Sequence, residues 1–152
     1  MTTETNSDGL KIVYGAPEAI QGGGIPSKGL RKELQVTVDF DDLPNAGAKG
    51  DDDIFVPAGA IVESCKLVTG TAFAGGTTVT IGFYNKAGTA IDADGIDATI
   101  ATAALTGNTV IVNDGALSTN KHVGTVDAYV GATAAGTYTA GSADLIITYF
   151  QV

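Results

Sequence analysis

Few side chains in this sequence are able to do chemistry. One histidine, His122, lies in the loop-like run Ser118-Thr119-Asn120-Lys121-His122, and one cysteine, Cys65, alternates with Leu67 in an apolar stretch. Paired, they would make a nucleophile and its base. A surface histidine and a buried structural thiol account for the same two residues without any reaction. Zinc's usual ligands cannot complete a site here unless carboxylates join them. Gly-x-Ser-x-Gly, Gly-x4-Gly-Lys-Ser/Thr and Gly-x-Gly-x-x-Gly are all missing from the sequence.

Carboxylates fall in three groups: Asp39/Asp41/Asp42, Asp51-Asp52-Asp53 and Asp92/Asp94/Asp97. The run Asp92-Ala93-Asp94-Gly95-Ile96-Asp97 puts oxygen ligands at alternate positions near a glycine, a hint of a Ca²⁺ or Mg²⁺ loop. An EF-hand needs its glycine at the sixth position and a bidentate Glu at the twelfth. Here Gly95 comes too early and no Glu follows, so turn formation and helix capping compete with the metal, and no cofactor is expected. Adjacent like charges repel, which places Asp51, Asp52 and Asp53 in solvent. Two of them would suffice for a glycosidase pair, but Trp is absent and aromatics are only 7%, leaving sugar subsites without platforms.

The elements that must carry these residues are read against a chain of 152 residues, the size of one domain. Hydrophobic residues make up 44% and charged residues 16%, which excludes an acidic disordered chain. Twenty-one glycines without a Gly-X-Y period, and only four prolines, exclude collagen. No apolar run approaches the ~20 residues that span a bilayer. The formal charge is −9, with Arg31 the only arginine. That makes nucleic acid and acidic membrane surfaces poor partners, since both are bound through basic side chains. The first residues lack the basic and apolar regions of a signal peptide, so synthesis in a cytoplasm without processing is expected.

Residues 1–32 are broken by Asp8-Gly9, Gly15, Pro17, Gly22-Gly23-Gly24, Pro26 and Gly29. Such a stretch reads as a flexible tail or as an arm. Fully extended it would reach at most ~105 Å, against a domain radius of gyration near ~15 Å. It is therefore long enough to cross a neighbouring subunit.

From residue 33 to 152 a two-residue period dominates. In 33–40, Leu34, Val36, Val38 and Phe40 alternate with Glu33, Gln35, Thr37 and Asp39. Val79, Ile81 and Phe83 do the same in 77–84. Further strands are expected at 61–73, bent at Gly70, at 109–112, and at 123–130 with Val126, Ala128 and Val130 on one face. Short β-branched runs between Gly, Asn and Asp turns predict an all-β, antiparallel sandwich or barrel. One short helix is expected at 96–105, with Asp94 or Asp97 near its N-cap and Ile96, Ile100, Ala103 and Ala104 at helical spacing. In 143–152 one face carries Ala143, Leu145, Ile147 and Tyr149, and the other carries Asp144, Ile146, Thr148, Phe150 and Val152, three of those five large or apolar. Both faces call for burial, which predicts a covering layer or a subunit interface.

The motifs at Pro57-Ala58-Gly59-Ala60-Ile61, 71–77 (Thr-Ala-Phe-Ala-Gly-Gly-Thr) and 88–97 (Gly-Thr-Ala-Ile-Asp-Ala-Asp-Gly-Ile-Asp) resemble, in the same order, small virion proteins of tailed bacteriophages. The resemblance covers about a third of the chain and implies a capsid decoration (cement) protein or a related head or tail protein. That group consists of β-sandwich or jelly-roll-like subunits that bind the outer capsid surface as trimers or dimers. It implies no catalytic residues, hence no enzyme. The implied partners are the major capsid protein and further copies of the chain, as a homotrimer or homodimer. Clamping would use Leu10, Ile12, Tyr14, Ile20 and Ile25 of the arm together with Ile146, Phe150 and Val152. The alternative is a head-fibre or tail-associated β-domain binding host glycans, which predicts Tyr129, Tyr138 and Phe73 exposed together at one loop end.

Overall fold

The computed structural model describes residues 2–5, 11–14, 31–43, 48–49 and 54–151. Met1–Leu30 and Arg31–Val152 form two separate units. In the first, β1 (Thr2–Thr5) and β2 (Lys11–Tyr14) make an antiparallel hairpin, with Thr2 opposite Tyr14 and Thr5 opposite Lys11. Leu10, Ile20, Ile25, Asp51, Asp52, Asp53 and Val152 lie outside the described residues.

The second unit is an antiparallel sandwich. Its strands are β3 (Arg31–Asp39), β4 (Ala48–Lys49), β5 (Phe55–Val56), β6 (Ala60–Ala74), β7 (Thr78–Tyr84), β8 (Ala90–Ala101), β9 (Thr109–Val112), β10 (Lys121–His122), β11 (Ala128–Ala135) and β12 (Ala140–Gln151). One sheet runs β10–β6–β12–β3, with β9 pairing the same flank of β6 as β10. The other runs β4–β11–β7–β8, with β5 also on β11. Alternation sends Val36, Val38, Val62, Leu67, Leu145 and Ile147 inward from the first sheet, to meet Val79, Ile81, Phe83, Ile96, Ile100 and Val130 from the second. Each such side chain contributes roughly 1.5–3 kcal/mol by leaving water.

Two irregularities shape the sheets. Opposite β12, Glu63 and Gly70 are extra residues on β6, so the strand bulges at each, and Gly70 is where the sequence suggests a bend. Opposite β7, Ile81 pairs with Asp97 and Phe83 with Asp92, so three surplus residues of β8 swing out between them. This excursion lies against backbone. A Cβ on Gly82 would fall 2.3 Å from the carbonyl carbon of Ala93, and one on Gly115 would fall 2.5 Å from that of Ile96. Gly115 N–H and Leu117 N–H then donate to the Ile96 and Gly95 carbonyls, tying the chain after β9 onto β8.

The helix expected at 96–105 is replaced by the end of β8 and a 3-10 turn at Thr102–Ala104. Four-residue spacing puts Ile96 and Ile100 on one face in a strand as well as in a helix, and both are buried. Ala103 and Ala104, which a helix would have turned to the core, are exposed. Asp97 caps no helix: its Oδ1 accepts from Thr99 N–H at 3.2 Å. The strand expected at 123–130 also divides. Ala58 N–H donates to Asp127 Oδ1 at 2.8 Å, Gly124 has φ +107, and β11 starts only at Ala128. Val126 is left 47% exposed in the connecting loop.

Candidate interaction surface

The outward residues of the first sheet follow from its register. Thr37, Asp144, Val68 and Val110 form one row across β3, β12, β6 and β9. Gln35, Ile146, Lys66 and Val112 form the next, and beyond it Arg31, Phe150 and Ile61 line up. Because cross-strand partners share a face, Val68, Val110, Val112, Ile146, Ile61 and Phe150 occupy a single surface. Val110 and Val112 are 60% and 67% exposed, whereas Ile146 and Phe150 are half-buried by their neighbours. Polar groups interrupt this surface as well as border it: Lys66 stands between Ile146 and Val112, and the row Glu33, Thr148 and Ser64 separates Ile146 from Phe150. Arg31 pairs with Glu63 at the bulge, and Thr37 Oγ1 donates to Asp144 Oδ1 at 2.8 Å. Such a face can bury apolar area against another protein, and it holds no nucleophile or acid–base pair.

The residues singled out for chemistry are dispersed. Cys65 is buried, and burial pushes its thiol up to about 12, so at neutral pH it is a packed, protonated side chain. His122, on the short edge strand β10, accepts at Nδ1 from Gly124 N–H at 3.0 Å. The three aspartates of 92–97 do not act as one set. Asp97 is buried, bonded to Thr99 N–H and, through Oδ2, to Asn113 Nδ2 at 3.2 Å. Asp92 is held above the ordinary carboxylate range, first by burial and then by a side-chain hydrogen bond with Asp94. Burial, and then the Asp94 charge, likewise raise Tyr84. Among the described residues no group of three or more His, Cys, Asp or Glu is placed to hold a metal ion.

The rings that a glycan platform would need exposed are in the core. Tyr129, Tyr138 and Phe73 are 3%, 5% and 7% exposed. Phe73 and Tyr138 meet edge to face at 5.7 Å, and the Tyr138 hydroxyl lies 2.6 Å from Thr102 Oγ1. Tyr129 packs instead against Phe55, at 5.3 Å. A cleft of about 430 Å³ lies beside Tyr129, lined by Asn85, Lys86, Thr125, Val126 and Asp127. Two of its polar side chains brace loops, Asp127 holding Ala58 N–H and Asn85 Oδ1 accepting from Thr89 N–H at 2.9 Å.

Of the residues expected at an interface, Ile146 and Phe150 share the outward face just described. Ile12 and Tyr14 fall on β2. Val110 and Val112 were not among the expected set, although their signal is visible: Thr-Val-Ile-Val is a strand with no charge and no turn residue.

No protein-family model and no curated protein matches this chain. Its fold does have solved counterparts. With a TM-score of 0.57 and 16% identity, 84% of the chain overlays 89% of a chain in "Capsid of Ralstonia phage GP4". A chain in "Cyanophage Pam1 capsid asymmetric unit" matches at 0.56 and 17% identity, over 97% of this chain and 98% of that one. One in "Acidic stable capsid structure of Helicobacter pylori bacteriophage KHP30" gives 0.57 and 16%, over 81% and 89%. At these identities the likeness is one of fold: three phage capsid structures contain chains built on this sandwich.

Proposed function

We propose that this chain is a structural virion protein, a capsid decoration protein that seats on the outer shell and clamps neighbouring capsomers. One observation carries the reading: the fold matches a chain of a phage capsid over nearly the full length of both. The outward face of β9, β6 and β12 supports it, since exposed Val110 and Val112 on a chain of net charge −9 suit a partner protein better than nucleic acid. In this reading residues 1–32 form an arm and 33–152 the body. The partners are the major capsid protein and further copies of the chain, as a trimer or dimer on the virion surface. Catalysis has no part in it. The glycan-binding alternative has lost the exposed Tyr129, Tyr138 and Phe73 on which it depended.

The test uses capsids stripped of the protein. Purified full-length chain is expected to co-sediment with them and to raise the temperature at which they release DNA. Deleting residues 1–32 is expected to leave a folded body with at least tenfold weaker binding. Failure of the intact chain to bind overturns the virion role, and undiminished binding by the truncated chain overturns the arm.

A further inference from the structure

The edges of the two sheets are guarded unequally. Edge strand β3 opens with Arg31, Lys32 and Glu33 and ends at Asp39. β8 carries Asp92, Asp94 and Asp97, and the chain after β9 is bonded to it at Gly95 and Ile96. β4, β5 and β10 are two residues each. Charge, coverage and shortness all keep a sheet edge from pairing with other strands. β9 is the uncharged run Thr-Val-Ile-Val, and β6 is its one pairing partner among the described residues. Its Val110 and Val112 are the most exposed large apolar side chains there.

The open side of β9 complements itself. Asn113 N–H donates to the Cys65 carbonyl at 3.1 Å. Main-chain groups of an antiparallel strand point to alternate flanks. Those of Ile111 therefore face Leu67 of β6, and the N–H and C=O of Val110 and Val112 face away from it. A second β9 laid antiparallel, with Ile111 opposite Ile111, sets each Val110 against Val112 of the other copy. Both valine pairs are then of the kind that exchanges two main-chain hydrogen bonds. The register also extends the apolar rows, since Val68 and Val110 of one copy continue into Val112 and then Lys66 of the other. Charge favours the same occupant. No residue from 98 to 113 is charged, so on a chain of net charge −9 this is an edge where two copies meet without opposing carboxylates.

We propose that β9 pairs with β9 of a second copy about a two-fold axis at Ile111, joining the two β6–β9 sheets into one continuous sheet. Main-chain hydrogen bonds supply the affinity, and the valine pairs fix the register. The same surface serves both partners, so the contact is isologous and closes at two chains. Of the assemblies open to the virion reading, this selects the dimer. Four residues a side make a small interface, which places association in the micromolar range.

The inference rests on the virion reading only for the use of the pair on a shell, and its test needs no capsid. Full-length protein at high micromolar concentration is expected to sediment with the mass of two chains. Val110→Lys with Val112→Lys sets lysine against lysine in this register, and Val110→Glu with Val112→Glu sets glutamate against glutamate. Each double variant alone is expected to sediment as a single chain. Its unfolding midpoint should stay within a few degrees of the parent's, because both side chains are solvent-exposed. An equimolar mixture of the two is expected to return to the mass of two chains, since every lysine then faces a glutamate. Cysteines in a Cys65→Ser background read the register. Val110→Cys and Val112→Cys proteins, prepared separately, mixed and oxidised, should give the mixed disulfide at several times the yield of either self-pair. Opposite positions lie ~5.5 Å apart and like positions ~7–8 Å or more, beyond easy bridging. A parent that stays single, an oligomer surviving the lysines, or a mixed disulfide no more abundant than the self-pairs overturns the pairing. Association lost in both variants and not regained on mixing marks a different occupant of the edge and overturns it too. A chain that stays single yet co-sediments with stripped capsids overturns the pairing alone, and one that pairs yet leaves capsids unbound overturns the virion reading alone.

Discussion

On the β7–β11 side of the sandwich the outward rows are Thr78 opposite Ala135, Thr80 opposite Thr133, Gly82 opposite Gly131 and Tyr84 opposite Tyr129. On the β9–β6–β12 side they are Val110, Val68 and Asp144, then Val112, Lys66 and Ile146, then Ser64 and Thr148, then Ile61 and Phe150. The inward rows are alike: Val79, Ile81 and Phe83 on one sheet, Leu67, Leu145 and Ile147 on the other, all nearly inaccessible. Folding alone needs only the inward rows. The first outward face is hydroxyl- and glycine-rich, and the β8 excursion packs over Gly82, so this sheet is finished by its own chain. The second mixes apolar side chains with Lys66, Asp144 and Thr148, and leaves Val110 and Val112 exposed to solvent.

Substitutions can separate the two roles. The largest expected effect is on an inward row: Phe83→Ala should cost about 3–5 kcal/mol in urea unfolding. Ile146→Ala, on the outward face, should cost about 1 kcal/mol or less in the isolated chain while weakening association. Equal costs at the two positions would erase the distinction between inner and outer faces. Gly82→Ala tests whether the second sheet is closed by backbone contact. Its Cβ has no room beside Ala93, and a loss of about 1–3 kcal/mol is expected from forced displacement of β8, visible as a lower urea midpoint. A neutral result would mean the excursion is not packed there.

The smallest effect belongs to Asp92. The folded state raises its proton affinity, so its contribution is favourable below the ordinary carboxylate range and is lost as pH rises through the raised value. Asp92→Asn removes the penalised charge. The melting temperature should rise by about 1–2 °C at pH 7, and the gain should vanish near pH ~3, where the wild-type carboxyl is protonated. Scans at the two pH values check the sign.

Much of the sandwich was legible because alternation is unambiguous where polar and apolar residues strictly trade places, as from Glu33 to Val38 and from Thr78 to Phe83. It failed where two periods coincide. Ile96 and Ile100 satisfy both helix and strand, and only the ladder to β7 decides between them. Val126, Ala128 and Val130 alternate on paper, yet the Ala58 amide draws Asp127 into a turn, a long-range bond that spacing cannot reveal. The outward apolar side chains were half legible. Ile146 and Phe150 betray themselves by making both faces of one strand apolar, whereas the exposure of Val110 and Val112 depends on β9 being an edge, a property of sheet order. The expected exposure of Tyr129, Tyr138 and Phe73 failed similarly, because the burial of Tyr138 is set by its contacts with Phe73 and Thr102.

The position of β12 carries a kinetic consequence. It is the last strand in chain order, yet it stands between β6 and β3, pairing Arg31 with Phe150 and Ala60 with Gln151. Until β12 arrives, neither neighbour has a partner on its inner flank, so the sheet cannot zip up progressively behind the ribosome. High contact order of this kind slows folding to the millisecond-to-second range. Before that step β3 has no strand to pair with, and β6 is held on one flank alone by β9 and β10.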